Sequence, residues 1–316
     1  FSATTITGAA ADIATELAGA DADVVHEADI AVTVTDTTVA AADLNTIESL
    51  TTGVTTVSSA TTMTGTFAAV DEAFGHNDDT LAAVDGVVPP NRISGLDNIN
   101  VTLTGDPTIA NIVDTIAQTG TGKVTATAPA ASTALSNYAN ISGTGHSITI
   151  PTLIDDTLAD ADAATALLTL DAATTETITF DPDGGADSPT IVSTTYDNAI
   201  SILSSSGISG FGSGPVTISE NITVAQANVL NGKTTGVITA TIATSDAATL
   251  ATLDATRGDT ANAYSITITD STVSASDLNT IDGITSVDVV VTDVDTVTRL
   301  LADLDTLYGN AATLLI

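Results

Sequence analysis

The chain repeats itself, and this limits its fold more than any other feature. Residues 32–50 read VTVTDTTVAAADLNTIESL, and residues 266–284 read ITITDSTVSASDLNTIDGI. The two align without a gap and share T-x-T-D followed by D-L-N-T-I. Residues 216–232, VTISENITVAQANVLNG, are a looser third copy. Two copies run on into the same joint, TTGVTTVSSA from Thr51 and TTGVITATIA from Thr234. Self-similarity of this kind sets the architecture before any single motif does.

Each repeat has two halves. A run of alternating β-branched residues, such as Val32–Thr35, Ile266–Thr269 or Val287–Thr292, predicts a strand. A short amphipathic stretch follows. Leu278, Ile281 and Ile284 lie three apart, on one helical face. Gly53, Gly236 and Gly283 fall near the helix ends.

Strand starts are expected near Val32, Val54, Val101, Val124, Ile148, Val216, Val237, Ile266 and Val287. Consecutive strands joined through a helix run parallel, with right-handed crossovers. The expected fold is therefore α/β and β-rich: a parallel strand–short-helix solenoid of roughly 22–25-residue repeats. A dozen layers at about 4.8 Å each would make a rod about 60 Å long. The alternative is a row of small α/β or β-sandwich domains.

Two stretches break the pattern. Asp85–Asn98 carries a proline pair, and Asp181–Pro215 carries a Gly-rich turn and a GFGSGP joint. They suggest repeat subdomains at 1–90 and 215–316, flanking an irregular one at 91–214. Residues 150–180 show no clear phase.

Composition excludes whole classes of function. Lys and Arg total 5 against 39 acids, a formal charge of −34. Five scattered cations cannot form a phosphate-binding patch, so no nucleic-acid partner is expected. The same charge would be repelled by an anionic bilayer, and no run of 18 apolar residues exists for membrane insertion. Without cysteine there is no disulfide framework or thiolate chemistry. With 43% apolar residues the chain is not composed like a disordered one. Only 3% are aromatic, so the core must be thin and built from Val, Ile, Leu, Ala and Thr methyls. Excess acid suits saline or calcium-rich surroundings, where cations screen it.

Candidate sites are few. DPDGGADS (181–188) is the best metal candidate: Asp181, Asp183 and Asp187 offer hard oxygen ligands for calcium around a Gly-Gly turn. The twelfth position, where an EF-hand needs Glu, is Val192. The bland reading is a solvated acidic turn. Asp36, Asp270 and Asp293 follow equivalent strands and could form a carboxylate ladder. The favoured reading is that each caps the helix that follows it. His26, His76 and His146 lack zinc spacing. Gly75–Asp79 reads as an exposed turn, and Arg257–Asp259 (RGD) as a loop salt pair. Sequons start at Asn100, Asn140 and Asn221. No nucleophile elbow, dinucleotide fingerprint or P-loop is present, so no enzyme activity is expected.

The pattern VTxTDxTVxAxDLNTI followed by TTGV resembles the acidic Thr/Ala-rich strand–helix repeats of large marine cyanobacterial and cyanophage surface or virion-appendage proteins. The resemblance is strongest over 32–75 and 215–295. It implies an extracellular structural role, at a cell or virion surface, and carries no catalytic residues. The G-G-x-G-x-D run of RTX proteins is missing.

These readings lead to one expectation. The chain is a repeat-built extracellular subunit that joins copies of itself head to tail into a filament, sheath or surface layer. Its termini, FSATTITG and AATLLI, would serve as pairing strands. The alternative is an adhesin or virion-fibre module that binds a host surface or glycan through loops 76–98 and 181–214.

Overall fold

The computed structural model describes residues 4–19, 28–76, 92–154, 157–158, 160–181, 189–254, 261–298, 301–309 and 314–315. The chain is mixed α/β, and every strand pairing among the described residues is parallel. That sets aside the antiparallel β-sandwich alternative. Chain contacts divide the protein into two compact units. The first holds 1–132, 137–151 and 172–176, and the second holds the rest.

The first unit opens with β1 (Thr5–Gly8), α1 (Ala10–Ala18), β2 (Ala31–Val34), β3 (Thr38–Ala40) and α2 (Ala41–Leu50). Next come β4 (Val54–Thr56), β5 (Thr62–Gly65), α3 (Phe67–Gly75), β6 (Arg92–Ser94) and β7 (Asn100–Leu103). It closes with α4 (Ile109–Gln118), β8 (Val124–Thr127) and β9 (Ser147–Thr149). Two parallel sheets result, in the orders β1-β2-β4-β6 and β3-β5-β7-β8-β9. Helices α1 to α4 pack on one another in sequence order.

The second unit holds β10 (Thr157–Leu158) and α5 (Ala161–Ala173), the last two residues of α5 falling to the first unit. It continues with β11 (Ile178–Thr179), β12 (Thr190–Thr194), α6 (Tyr196–Ser204), β13 (Ile208–Ser209), β14 (Val216–Ile222), α7 (Val224–Asn231) and β15 (Ile238–Ile242). After α8 (Ala247–Leu250) come β16 (Ala263–Ser265), β17 (Thr267–Ile268), β18 (Thr272–Ser274), α9 (Ala275–Ile284) and β19 (Val289–Val291). The final elements are β20 (Thr296–Thr298), α10 (Leu301–Gly309) and β21 (Leu314–Leu315). The sheets run β10-β12-β14-β15-β16, β11-β13, β17-β19-β21 and β18-β20.

The repeat differs from the expected one in one respect. It has two strands before its helix, as in β2, β3 and α2. The strands are divided by the corner Thr35–Thr37, and each joins a different sheet. Register follows the apolar alternation. Val32 and Val34 point inward, at 1% and 0% exposure, because a one-residue slip would turn both to solvent. Ala41, Leu44 and Ile47 form the buried stripe of α2, and Ala275, Leu278, Ile281 and Ile284 that of α9. Each buried Leu or Ile among them contributes roughly 1.5–3 kcal/mol by leaving water.

The structure extends the sequence duplication. Residues 32–75 and 266–309 align without a gap through two successive repeats. Their geometry matches at this fixed offset: Thr38 pairs with Thr62, and Thr272 with Thr296. Stretch 150–180, unphased in the sequence, contains β10, α5 and β11. Stretch 181–215, read as an interruption, contains β12, α6 and β13.

Candidate functional site

The polar side chains with the most consistent geometry lie between neighbouring repeats. At the C-terminal end of α2, Thr51 Oγ1 donates to the Ile30 carbonyl at 2.6 Å and accepts from Gly53 N–H at 3.0 Å. Thr285, at the same place after α9, donates to the Tyr264 carbonyl at 2.7 Å. It accepts from the N–H groups of Tyr264 at 2.9 Å and Val287 at 3.2 Å. Thr174 repeats this with Ile148 and Glu176. The next residue adds a clamp: Thr52 gives both its N–H and its hydroxyl to the Ala28 carbonyl, and Ser286 gives both to that of Asn262. Thr175 and Thr235 do the same toward His146 and Gly212. The sequence Thr-Thr-Gly is thus a corner that ties one repeat to the last. Val287 and Glu176 hold the third place at two of these corners, but at Gly53 and Gly236 the neighbouring backbone comes too close for a side chain. A Cβ on Gly236 would lie 1.9 Å from the Gly214 carbonyl oxygen, and one on Gly53 2.2 Å from that of Ile30.

The Asn of D-L-N-T-I ties the helices together. Asn45 Nδ2 donates to the Ala69 carbonyl on α3 at 2.9 Å, and Asn279 Nδ2 to the Asp303 carbonyl on α10 at 2.9 Å. Asn228 on α7 reaches the Thr252 carbonyl in the same way.

The strand-end acids correct the sequence reading. Asp36 Oδ2 accepts from Ala10 N–H at 2.6 Å, and Asp270 Oδ2 from Ala247 N–H at 3.0 Å. Glu220 accepts from Tyr196 N–H at 2.9 Å. Each therefore caps the helix of the preceding repeat rather than its own; after Asp36 and Asp270 a second strand, β3 or β18, separates the acid from the helix that follows it. The orphan N–H groups of a helix start, and its dipole, favour this placement. Asp293 instead occupies a left-handed position, with φ of 63°.

Of the calcium candidates, Asp181 is half-buried and its N–H donates to the Leu153 carbonyl at 2.9 Å. Asp183 and Asp187 lie outside the described residues, as do His26, Asn77–Asp79 and the RGD at 257–259. Among the described residues no three His, Asp or Glu side chains form a group that could hold a metal ion. His76 ends α3. Of the sequon residues, Asn100 Oδ1 accepts from Lys123 N–H, while Asn140 and Asn221 are exposed. A groove of about 250 Å³ lies between the start of α7 and the end of β15. It is lined by Thr223, Val224, Ala243, Thr244 and Thr249, without an ionisable side chain.

Three buried polar groups stand out. His146, 3% exposed, accepts from Val124 N–H at Nδ1 at 3.0 Å. Burial holds its pKa below 6.5, and Lys123 lowers it further, against a backbone contact at Ser142 that raises it. Asn262 donates to Asn231 and to the Tyr264 hydroxyl and accepts from Ile238 N–H, all in the interior. Burial, then the charge of Asp254, pushes the Tyr264 phenol upward. Glu48 is 2% exposed and neither carboxyl oxygen has a hydrogen-bond partner. The sequence gives no warning of it, because the matching residue in the second copy is Asp282, only half-buried.

No helix among the described residues is long and apolar enough to cross a membrane. The fold is mixed α/β with parallel sheets, and the same hydrogen bonds recur at equivalent positions along the chain. No protein-family model, curated protein or solved structure matches the chain.

Proposed function

We propose that each unit is a parallel strand–helix solenoid, and that the chain is a structural subunit of an extracellular assembly. The observation that carries this reading is the recurrence of one bonding scheme between successive repeats. Threonine corners, asparagine clamps and acids that cap the previous helix spend the polar side chains on stacking. A layer built this way presents the same donors and acceptors to any further layer, whether from its own chain or from another copy.

Head-to-tail joining of copies is the proposed mode of assembly, through sheet edges rather than loose tails. Thr5–Gly8 already pairs with Ala31–Val34, and Leu314–Leu315 with Val289–Val290. Each offers its outer edge as a ladder of backbone groups. Calcium is the proposed counterion for the −34 charge, since carboxylates without cations in number repel one another across such a joint.

Negative-stain electron microscopy with calcium, then with EGTA, tests this. Open-ended filaments or sheets are the expected result, with their loss in EGTA assigning calcium to the joint. Discrete particles in both conditions, retained on a surface glycan, would replace assembly with the display-and-binding role.

A further inference from the structure

In the first unit, Glu48 sits on the last turn of α2, 2% exposed, with both carboxyl oxygens unpartnered. Thr55 on β4 is 0% exposed and its hydroxyl is also without a partner. Polar groups sealed from water in this way are rare, and an ionised carboxylate among them is costly. The duplicated repeats supply an internal control. The positions matching Glu48 and Thr55 are Asp282 and Val289. Asp282 lines an open cleft of about 60 Å³ with Ser286 and Asp288, where water can reach it. One copy of the same corner is thus wet and the other is dry.

The surroundings offer Glu48 little compensation. The elements packed on α2 are α1, α3, β3, β4, β5 and β6. Their ionisable residues are Asp12 and Glu16 on α1, Asp71 and Glu72 on α3, and Arg92 on β6, while α2 itself adds Asp43. Strands β3, β4 and β5 have none. Four of the five neighbouring groups are acids, which further disfavours a second negative charge on α2.

We propose that Glu48 is a proton-operated latch: protonated, it keeps the corner between α2 and β4 shut, and loss of the proton lets that corner open to water. The corner is the segment fixed by Thr51 and Thr52 to the carbonyls of Ile30 and Ala28. Opening therefore releases the tie between the second and third repeats without dismantling the sheet core. The direction of titration agrees. Burial raises the carboxyl to about 7.

Hydrogen exchange on the full chain tests the latch, with rates corrected for the intrinsic effect of pH. If opening restores an ordinary carboxyl, its equilibrium constant rises roughly thirtyfold between pH 5.5 and 8.5. Amides of Thr51–Gly53 should lose protection by that factor in the native chain. Glu48→Gln should show a flat profile, and Asp282→Asn should leave the native profile of Thr51–Gly53 unchanged. A native pH dependence that persists in Glu48→Gln would overturn the proposal. So would protection that rises with pH, the sign expected if Arg92 held the ionised form. A carboxyl carbon titration by NMR gives a second readout: a midpoint near 7 supports the latch, and one near 4.5 ends it.

Discussion

Thr285→Val puts the threonine corner to a direct test. Valine keeps the shape and β-branching of threonine and removes only the hydroxyl. In the structure that hydroxyl serves the Tyr264 carbonyl at 2.7 Å, Tyr264 N–H at 2.9 Å and Val287 N–H at 3.2 Å. Val287 is exposed, so water can replace its lost bond. Tyr264 is 1% exposed, so both its backbone groups would be stranded. At roughly 1–3 kcal/mol for each of the two stranded groups, a loss of about 2–6 kcal/mol is expected. The control is Thr239→Val on the exposed face of β15, expected within about 0.5 kcal/mol of the native chain. Urea denaturation followed by circular dichroism measures the difference. Hydrogen exchange at Tyr264 localises it to the corner. If Thr285→Val and Thr239→Val cost the same, the hydroxyl is not the tie between repeats and the account of Thr-Thr-Gly fails.

Gly236→Ala should be more damaging than its size suggests. Its Cβ would meet the Gly214 backbone at 1.9 Å, so one repeat must move from the next, at a cost of about 3 kcal/mol in denaturant melts. Asn279→Ala should cost about 1 kcal/mol by the same assay, since it removes one helix-to-helix hydrogen bond, and Asn45→Ala at least as much, since Asn45 also donates to the exposed Glu72 carboxylate. An effect at only one of the two would break the equivalence of the duplicated repeats. For His146 the folded pKa lies below the unfolded value of about 6.5, so the unfolded chain takes up the proton first. Stability therefore falls as pH drops below 6.5. Ring-proton NMR should place the His146 midpoint below 6.5, and a midpoint at or above 6.5 would contradict this. Raising ionic strength should raise the melting temperature, because screening relieves the repulsion of the −34 charge.

The sequence exposed what depends on neighbours along the chain. The stripe Leu278, Ile281 and Ile284 gave α9, and alternation from Val32 to Thr35 gave β2. Strand starts at Val54, Val124 and Val216 coincide with β4, β8 and β14. The second strand of the duplicated repeat was hidden, since β3 and β18 are three residues long and run straight into a helix. Partners across repeats were hidden as well. Asp36 acts 26 residues back, on Ala10, and Asn45 acts 24 residues on, on Ala69. A residue type at one position states a capacity to bond, and only the stacking register states with what. Glu48 shows the same limit: nothing in DLNTIESL against DLNTIDGI says which acid will be sealed from water.

The spacing between paired strands has an evolutionary consequence. Val32 pairs with a residue 23 positions on, at Thr55, while Thr55 pairs with one 38 positions on, at Ile93. Across this longer connection Thr55 and Ile93 are still paired and both fully buried. Repeats of this kind form a grammar in which clauses of different length can be inserted and the sentence still parses. The gap-free echo of 32–75 in 266–309 is the larger form of that freedom. A pair of repeats can be copied as a block, because the bonds it needs at either boundary are those that every other boundary already supplies.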